Sequence, residues 1–211
     1  MASADRKPLL DAAPLSLTPD GDAAPAPDTD MPCLLLLGDG PVARALARLA
    51  AECGFAVDMA VRDADAAPDA PLAAEAEAGA SADAPPPDIP GLRRHIRLLP
   101  GESAVERCAV GRRHSICIFP QDEAMAVAAL EDVLASHAFF VGLWATRAER
   151  ERVWAALRAA GVPDAELAAV RCPLGLGDLA DMGGPVASAV PVLAELLAAR
   201  AGSRQRFRLE D

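Results

Sequence analysis

A glycine-rich motif separates the first long apolar run of the chain from a segment with helical periodicity. The run is CLLLL at residues 33–37, and the motif comprises Gly38, Asp39, Gly40, Pro41, Val42 and Ala43. Its Gly-x-Gly-x-x-Ala spacing suits a dinucleotide-binding loop: the first glycine makes a tight turn, the second lets the backbone approach a phosphate, and the third position packs closely. The following helix start offers free N–H groups to an anion. The motif predicts a cofactor-binding loop.

Three residues favour a second interpretation, a structural turn without nucleotide affinity. Pro41 removes one N–H donor, although proline is tolerated in a first helical turn. Asp39 places a negative charge beside the proposed phosphate. The acidic residue that binds an adenine ribose normally ends the second strand, where this chain has Val61. Both interpretations remain open from the motif alone.

Two further pairs of polar residues follow predicted strands. Thr146 and Arg147 stand where a strand passes into a helix, and Gln121 and Asp122 stand at a similar junction. A hydroxyl and a guanidinium at a helix start suit a phosphate or a pterin phosphate. The alternative at both junctions is an ordinary helix cap. We include all four residues in the candidate cofactor site.

Strand and helix patterns alternate through the ordered part of the sequence, which predicts an α/β fold of Rossmann type, a parallel sheet with helices on both faces. Gly54 and Gly161 end two of the predicted helices, and Pro191 within the last one predicts a kink or a late start. The predicted strands cover residues 33–37, 55–61, 95–100, 114–120 and 138–145, and the predicted helices begin at Pro41, Glu123, Thr146 and Asp164, with a final helix to about Arg200.

Composition divides the chain into one domain and three less regular segments. We expect a disordered tail at residues 1–31, a domain at 32–200 with a flexible Ala/Pro/Asp-rich insertion at 63–90, and a C-terminal tail at 201–211. The net charge is −11. Residues 1–30 carry six acidic against two basic residues, and residues 61–92 carry seven against one, so the remainder is nearly neutral.

These counts restrict the class of protein. No basic stripe with interleaved aromatic residues indicates nucleic-acid binding. Five scattered cysteines are typical of a reducing compartment. Neither a signal peptide nor a membrane-spanning run is evident, so we expect a cytoplasmic protein that does not engage a membrane. Isolated histidines predict no metal site, and no Ser-His-Asp order or carboxylate pair predicts a catalytic residue.

Several short segments resemble the C-terminal domain of the xanthine dehydrogenase accessory (XdhC/CoxI) family. They are FFVGLWATR at 139–147, GVPDAEL at 161–167, CPLGL at 172–176 and GDGPVARALARLAAECGF at 38–55. The similarity covers roughly residues 33–61 and 114–200. Relative to the family, Pro41 replaces a loop His, Val61 replaces a strand-end Asp, and PQDE at 120–123 keeps one Asp of a Thr-His-Asp-His segment.

The resemblance implies a Rossmann-fold accessory factor in the maturation of a molybdenum hydroxylase. Such a factor would bind molybdenum cofactor, assist its sulfuration and deliver it to a xanthine dehydrogenase-type client. It also implies a possible homodimer, and a possible separate chain that supplies the N-terminal domain of the family, which this sequence lacks.

Two other functions remain alternatives. One is a Rossmann-type oxidoreductase that binds NAD(P) through Gly38, Gly40 and Thr146, although the chain contains no Tyr to serve as a proton donor. The other is a non-catalytic interaction module with a relic nucleotide loop, favoured by Asp39 and Pro41. We do not expect a classical enzyme.

Overall fold

A computed structural model describes residues 31–62, 89–175 and 183–207. The predicted tail and insertion lie almost wholly outside these ranges. The elements are β1 (Cys33–Leu37), α1 (Pro41–Glu52), β2 (Ala56–Arg62), β3 (Leu92–Leu98), α2 (Ala104–Arg107), β4 (His114–Ile118), α3 (Glu123–Leu134), β5 (Phe140–Leu143), α4 (Arg147–Ala159), α5 (Asp164–Ala169) and α6 (Pro185–Phe207).

The strands form a parallel sheet in the order β3-β2-β1-β4-β5. Strand β1 is central and buried on both faces, which explains its uninterrupted apolar sequence. Leu34 and Leu36 face a core closed by α1 and α6, whereas Leu35 and Leu37 face a second core closed by α2, α3, α4 and α5. The predicted Rossmann-like α/β fold is confirmed.

Several predicted element boundaries are wrong. Strand β3 begins at Leu92 rather than His95, and β5 spans only Phe140–Leu143. Helix α6 continues beyond residue 200 to Phe207, so residues 201–207 belong to a helix and not to a tail. Helix α2 was not predicted, since four residues are too few to show periodicity.

Helix α6 runs through Pro191, which removes one intrahelical N–H donor without ending the helix. Among the described residues, its segment Pro185–Gly202 is long and apolar enough to cross a membrane by length and composition. No such run was expected from the sequence. In the fold, Ala189, Val192 and Leu196 of the segment are buried in the core beside α1.

A buried carboxylate connects β2 to the edge strand β3. Asp58 is 2% exposed and accepts hydrogen bonds from Arg93 Nε at 2.8 Å and Arg94 Nη2 at 2.7 Å. The two strands change register between Val57 and Asp58. As a result Asp58 lies opposite Arg94, and Arg93 has no residue opposite it on β2. This irregularity lets two consecutive arginines reach one carboxylate, although neighbouring residues of a regular strand point to opposite faces.

At the end of β1 the backbone passes close to the backbone that follows β4. Gly38 has φ 106°, and a β carbon there would lie 2.3 Å from the carbonyl oxygen of Phe119. Gly40 has φ −57°, and a β carbon there would meet nothing within 4 Å. The fold therefore requires glycine at position 38 but not at position 40.

We expect Gly38→Ala to destabilise the protein by about 2–4 kcal/mol, because the new methyl group combines left-handed backbone strain with steric overlap. Gly40→Ala is the matched control and is expected to change the free energy of unfolding by less than about 0.5 kcal/mol. Urea denaturation measures both values. Equal midpoints for the two variants would contradict the assignment of Gly38 as the turn residue.

Asp58 makes stability depend on pH. Burial alone raises the pKa of Asp58, but the hydrogen bonds and charges of Arg93 and Arg94 outweigh burial and hold the pKa below its ordinary value of 3.8. A lowered folded-state pKa stabilises the protein above the unfolded pKa, and this contribution is lost as pH falls through the folded pKa.

We expect Asp58→Asn to cost about 2 kcal/mol near neutral pH, because it leaves two arginines without a charged partner. The loss of stability on acidification below about pH 4 should also be shallower than in the wild type. Asp164→Asn is the control, since the carboxylate of Asp164 pairs with Arg158 while 75% exposed. Denaturant titrations at several pH values measure both effects, and identical acid profiles for wild type and Asp58→Asn would refute this role.

Candidate functional site

A cleft of about 930 Å³ lies at the carboxyl ends of the strands. Its walls come from the residues that follow β1, β4 and β5, from a turn after α5 and from the start of α6. The predicted site residues that line it are Pro41, Val42, Gln121, Asp122, Thr146 and Arg147. The fold thus brings together three segments that the sequence analysis selected separately.

Backbone hydrogen bonds set the ends of these strands at one level. The N–H of Phe119 donates to the carbonyl of Leu37 at 2.8 Å, and the N–H of Trp144 donates to the carbonyl of Ile118 at 2.8 Å. Sequential parallel pairing therefore places the loops after β1, β4 and β5 side by side. The cleft also lies where strand order reverses between β1 and β4, the usual ligand position in open α/β sheets.

Four predicted residues do not line the cleft. Gly38 forms the turn below the cleft, and Ala43 is fully buried between α1 and the sheet. Gly40 is the N-cap of α1. The carboxylate of Asp39 accepts a hydrogen bond from Arg44 Nη2 at 3.1 Å. This ion pair partly offsets the negative charge that the sequence analysis expected to repel a phosphate.

Helix α1 starts at the cleft without a side-chain cap. No side chain among the described residues accepts a hydrogen bond from a backbone N–H of its first turn, its N-cap is Gly40, and its first turn contains no acidic residue. Pro41 has no N–H, which leaves Val42 and Ala43 to offer theirs. The start of α1 therefore retains both the donors and the positive dipole end that attract an anion.

The two neighbouring helices begin with caps from their own side chains. The Asp122 carboxylate accepts a hydrogen bond from the N–H of Met125 at 2.7 Å at the start of α3. At α4, Glu149 Oε2 accepts from both the N–H and the hydroxyl of Thr146, each at 2.7 Å, while the Thr146 hydroxyl oxygen accepts from the N–H of Glu149 at 3.3 Å. The helix-cap interpretation therefore describes both Asp122 and Thr146.

Glu149 occupies the position at which a phosphate was expected. Its carboxylate takes the Thr146 donors, and the backbone hydrogen bond from Thr146 is the main reason that the pKa of Glu149 is lowered. Arg147 lines the cleft beside this cap and is exposed. Across the cleft, Arg152 of α4 pairs with Glu123 of α3 at 3.0 Å. The cleft walls therefore contain carboxylates as well as guanidinium groups.

Several cleft residues were not recognised in the sequence. Trp144 is half-buried, packs against the core and also lines the cleft, with its ring 5.8 Å from that of Phe119. Its position directly after a strand was the available signal. Glu149 was also missed, although Thr-x-x-Glu before a helix is a capping-box pattern. The remaining ones are Glu123, Ala126, Arg152, Val153, Pro173, Leu174, Gly184, Pro185 and Ser188, together with Pro120 and Ala145.

Gly142 of β5 positions one wall of the cleft. A β carbon on Gly142 would lie 2.4 Å from Leu174 Cδ2, so only glycine leaves space for this side chain. The N–H of Leu174 also donates to the carbonyl of Leu143 at 3.2 Å. Together these contacts hold Pro173 and Leu174 against the sheet at the edge of the cleft.

The described residues of the site offer neither an ionised thiol nor a metal-binding cluster. Cys172 adjoins the cleft turn, but burial raises the pKa of its thiol to about 12, so the thiol stays protonated at neutral pH. Within the described ranges, no group of three or more His, Cys, Asp or Glu residues is arranged to hold a metal ion.

Comparison with known proteins finds a matching family and a solved structure of similar fold. A family model of the XdhC Rossmann domain matches residues 34–196. The crystal structure of a xanthine dehydrogenase from Bacillus halodurans is similar in fold, with a TM-score of 0.58 and 16% sequence identity. The match covers 82% of this chain but only 43% of that protein. No curated protein matches the chain significantly.

Proposed function

Because the chain belongs to the XdhC Rossmann-domain family, we propose that it is an accessory factor for a xanthine dehydrogenase-type molybdenum hydroxylase. The similar Bacillus halodurans protein, described as a xanthine dehydrogenase, supports the same association. The chain spans less than half of that protein. In this proposal the chain acts on a client enzyme of that type.

In this proposal the chain binds molybdenum cofactor, which carries a phosphate, in the cleft. The observation that carries the proposal is the contrast between three helix starts at the cleft. Helix α3 is capped by Asp122 and α4 by Thr146 together with Glu149, whereas α1 has no side-chain cap among the described residues. A phosphate in the cleft would bind the N–H group of Val42, which lines the cleft and where a helix-start donor is still available.

The rest of the cleft suits the remainder of such a cofactor. Trp144 presents a half-buried aromatic surface next to apolar Leu174, which fits a flat heteroaromatic ring such as a pterin. Arg147 can add a charge-assisted hydrogen bond to the phosphate. A volume of about 930 Å³ is near the upper end of ordinary small-molecule sites.

An NAD(P)-dependent oxidoreductase is the weaker alternative. It would use the same uncapped start of α1, but β2 ends with Val61 and Arg62, and no acidic side chain there among the described residues could bind a ribose. Asp63, the nearest acidic residue along the chain, lies outside the described residues. A cytoplasmic location belongs to the proposal as well, since delivery to the client requires a shared compartment.

Fluorescence titration tests the proposal. The chain has only two tryptophans, so Trp154→Phe leaves Trp144 as the single reporter in the cleft. We expect anaerobic addition of molybdenum cofactor to quench Trp144 emission, with saturable heat in calorimetry. Gly40→Asp should weaken binding at least about tenfold. The carboxylate of an aspartate at the N-cap would accept a helix-start N–H of α1, as the carboxylate of Asp122 does at α3.

Gly111→Asp is the matched control, because Gly111 also has open space around its α carbon and lies before β4, at the opposite end of that strand. It should bind the cofactor like the wild type. Binding of NAD(P)H without binding of molybdenum cofactor would support the oxidoreductase instead. Binding of neither by folded protein would leave an interaction module with a relic loop.

A further inference from the structure

Besides the helices that follow β1, β4 and β5, helix α6 also begins at the cleft, and its first residues repeat those of α1. Both helices start with the sequence Gly-Pro-Val-Ala, at residues 40–43 and 184–187. The N–H of Ser188 donates to the carbonyl of Gly184 at 3.0 Å, which makes Gly184 the N-cap of α6. The residues of this segment that line the cleft are Gly184, Pro185 and Ser188.

Helices α1 and α6 also share an electrostatic property. Within the described residues, they are the only helices whose first turn contains no acidic residue. Each of α2, α3, α4 and α5 has one or two. An acidic side chain in the first turn stabilises the positive dipole end of a helix. The two helices that begin with the same four residues therefore both present a positive end without a first-turn carboxylate.

The two helices lie side by side and point in the same direction. Ala43 of α1 and Ala189 of α6 are fully buried in the core that both helices close. Near the far end of α6, Arg200 lies over the ring of Phe55, just after the end of α1, at 5.4 Å from the ring centroid. Since packed helices lie about 8–10 Å apart, their positive ends meet the cleft at about that spacing. A bound anion at each end would offset the repulsion between them.

A buried serine hydroxyl adds a donor at the start of α6. Ser188 is 3% exposed and lines the cleft, and its side chain makes no hydrogen bond within the described part of the chain. Because the Cα–Cβ bonds of a helix tilt toward its N-terminus, this hydroxyl is directed to the first turn of α6. A buried hydroxyl without a partner costs free energy, so its position at the cleft points to a ligand group that accepts its hydrogen bond.

We propose that the cleft binds its ligand through two separate anionic groups, one at the start of α1 and a second, an oxyanion, at the start of α6. At α6 the Ser188 hydroxyl and the Gly184 N–H donate to it. This inference rests on the proposed function, because it concerns the same cleft and the same ligand.

The spacing of the two helix starts restricts the class of ligand. Adjacent phosphates of a pyrophosphate are too close together to reach both positive ends, so the two anionic groups belong to opposite ends of the ligand. Molybdenum cofactor meets this requirement, since it has a phosphate at one end and a molybdenum–oxo group at the other.

Amide NMR of the full chain during titration with inorganic phosphate tests the second subsite without the cofactor. Phosphate is a tetrahedral oxyanion and can occupy either helix start. We expect the Gly184 and Ser188 amides to shift in a saturable manner, in addition to the Val42 amide at α1.

A first-turn carboxylate introduced into α6 should close the second subsite alone. Ala187 is the third residue of α6, the position that Glu149 occupies in α4. Ala187→Glu should weaken phosphate binding at the start of α6 at least about fivefold, without loss of stability, because the new charge favours the helix dipole. The Val42 shift should persist. Ala194→Glu is the matched control, with the same change of charge at an exposed residue of the same helix that does not line the cleft.

Calorimetric titration with molybdenum cofactor under anaerobic conditions measures the contribution of the hydroxyl. Ser188→Ala should weaken binding about tenfold, because it removes a hydrogen bond to a charged group. Ser115→Ala is the control, since Ser115 is a comparably buried serine on β4, 5% exposed, that does not line the cleft. It should bind the cofactor like the wild type.

The outcomes separate this inference from the proposed function. Phosphate shifts at Val42 alone would overturn the second subsite, as would equal phosphate binding by Ala187→Glu and Ala194→Glu. Cofactor binding that is unchanged by Ser188→Ala would also overturn it, and the proposed function would stand. Saturable phosphate shifts at Gly184 and Ser188 without any binding of molybdenum cofactor would support the oxyanion subsite and contradict the proposed function.

Discussion

The parallel register of β1, β4 and β5 is the constraint on which the candidate site depends. Each strand end is hydrogen-bonded to the next, from Leu37 to Phe119 and from Ile118 to Trp144. Residues distant in the sequence therefore meet at one level. The close passage of Gly38 beneath the backbone of Phe119 requires glycine, and Gly142 leaves the space that the Leu174 side chain occupies. These contacts shape the cleft before any ligand is present.

Electrostatics at the helix starts then decides where an anion can bind. The three helices that follow β1, β4 and β5 begin at the cleft with a positive dipole end, but Asp122 accepts the Met125 N–H at α3, and Thr146 and Glu149 accept each other's N–H at α4. Asp39 is the acidic residue closest in sequence to the start of α1, and its carboxylate is paired with Arg44 instead of capping the helix. The substitution of proline at position 41 removes one donor and still leaves two. The proposed phosphate site depends on these helix-start donors.

Much of the fold was predictable because its strongest signals are local. The buried run of β1, the periodicity of α1 and the cap at Thr146 all appear in short stretches of sequence. The start of β3 was misplaced because Arg93 and Arg94 form an irregular edge with Asp58, a pairing across more than thirty residues. The end of α6 was misplaced because the helix continues through Gly202 to Phe207.

The candidate site was predictable only in part, because only the parts of it that depend on local sequence signals could be identified. Loops that follow strands could be identified, so six of the predicted residues line the cleft. Pro173 and Ser188 could not, because their positions depend on how the turn after α5 and the start of α6 pack on the sheet. The competition of Glu149 for the start of α4 was visible as a capping-box pattern, and the expectation of a phosphate there overlooked it.

The most direct test of the central claim is the amide NMR spectrum of the protein during anaerobic titration with molybdenum cofactor. The account predicts that the Val42 amide shifts most, since its N–H group would donate to the phosphate, together with the adjacent Ala43 amide and the indole N–H of Trp144. The amides of Met125 and Glu149 should change little, because Asp122 and Thr146 already bind them. Unchanged amides at Val42 and Ala43 during saturable binding would contradict the account.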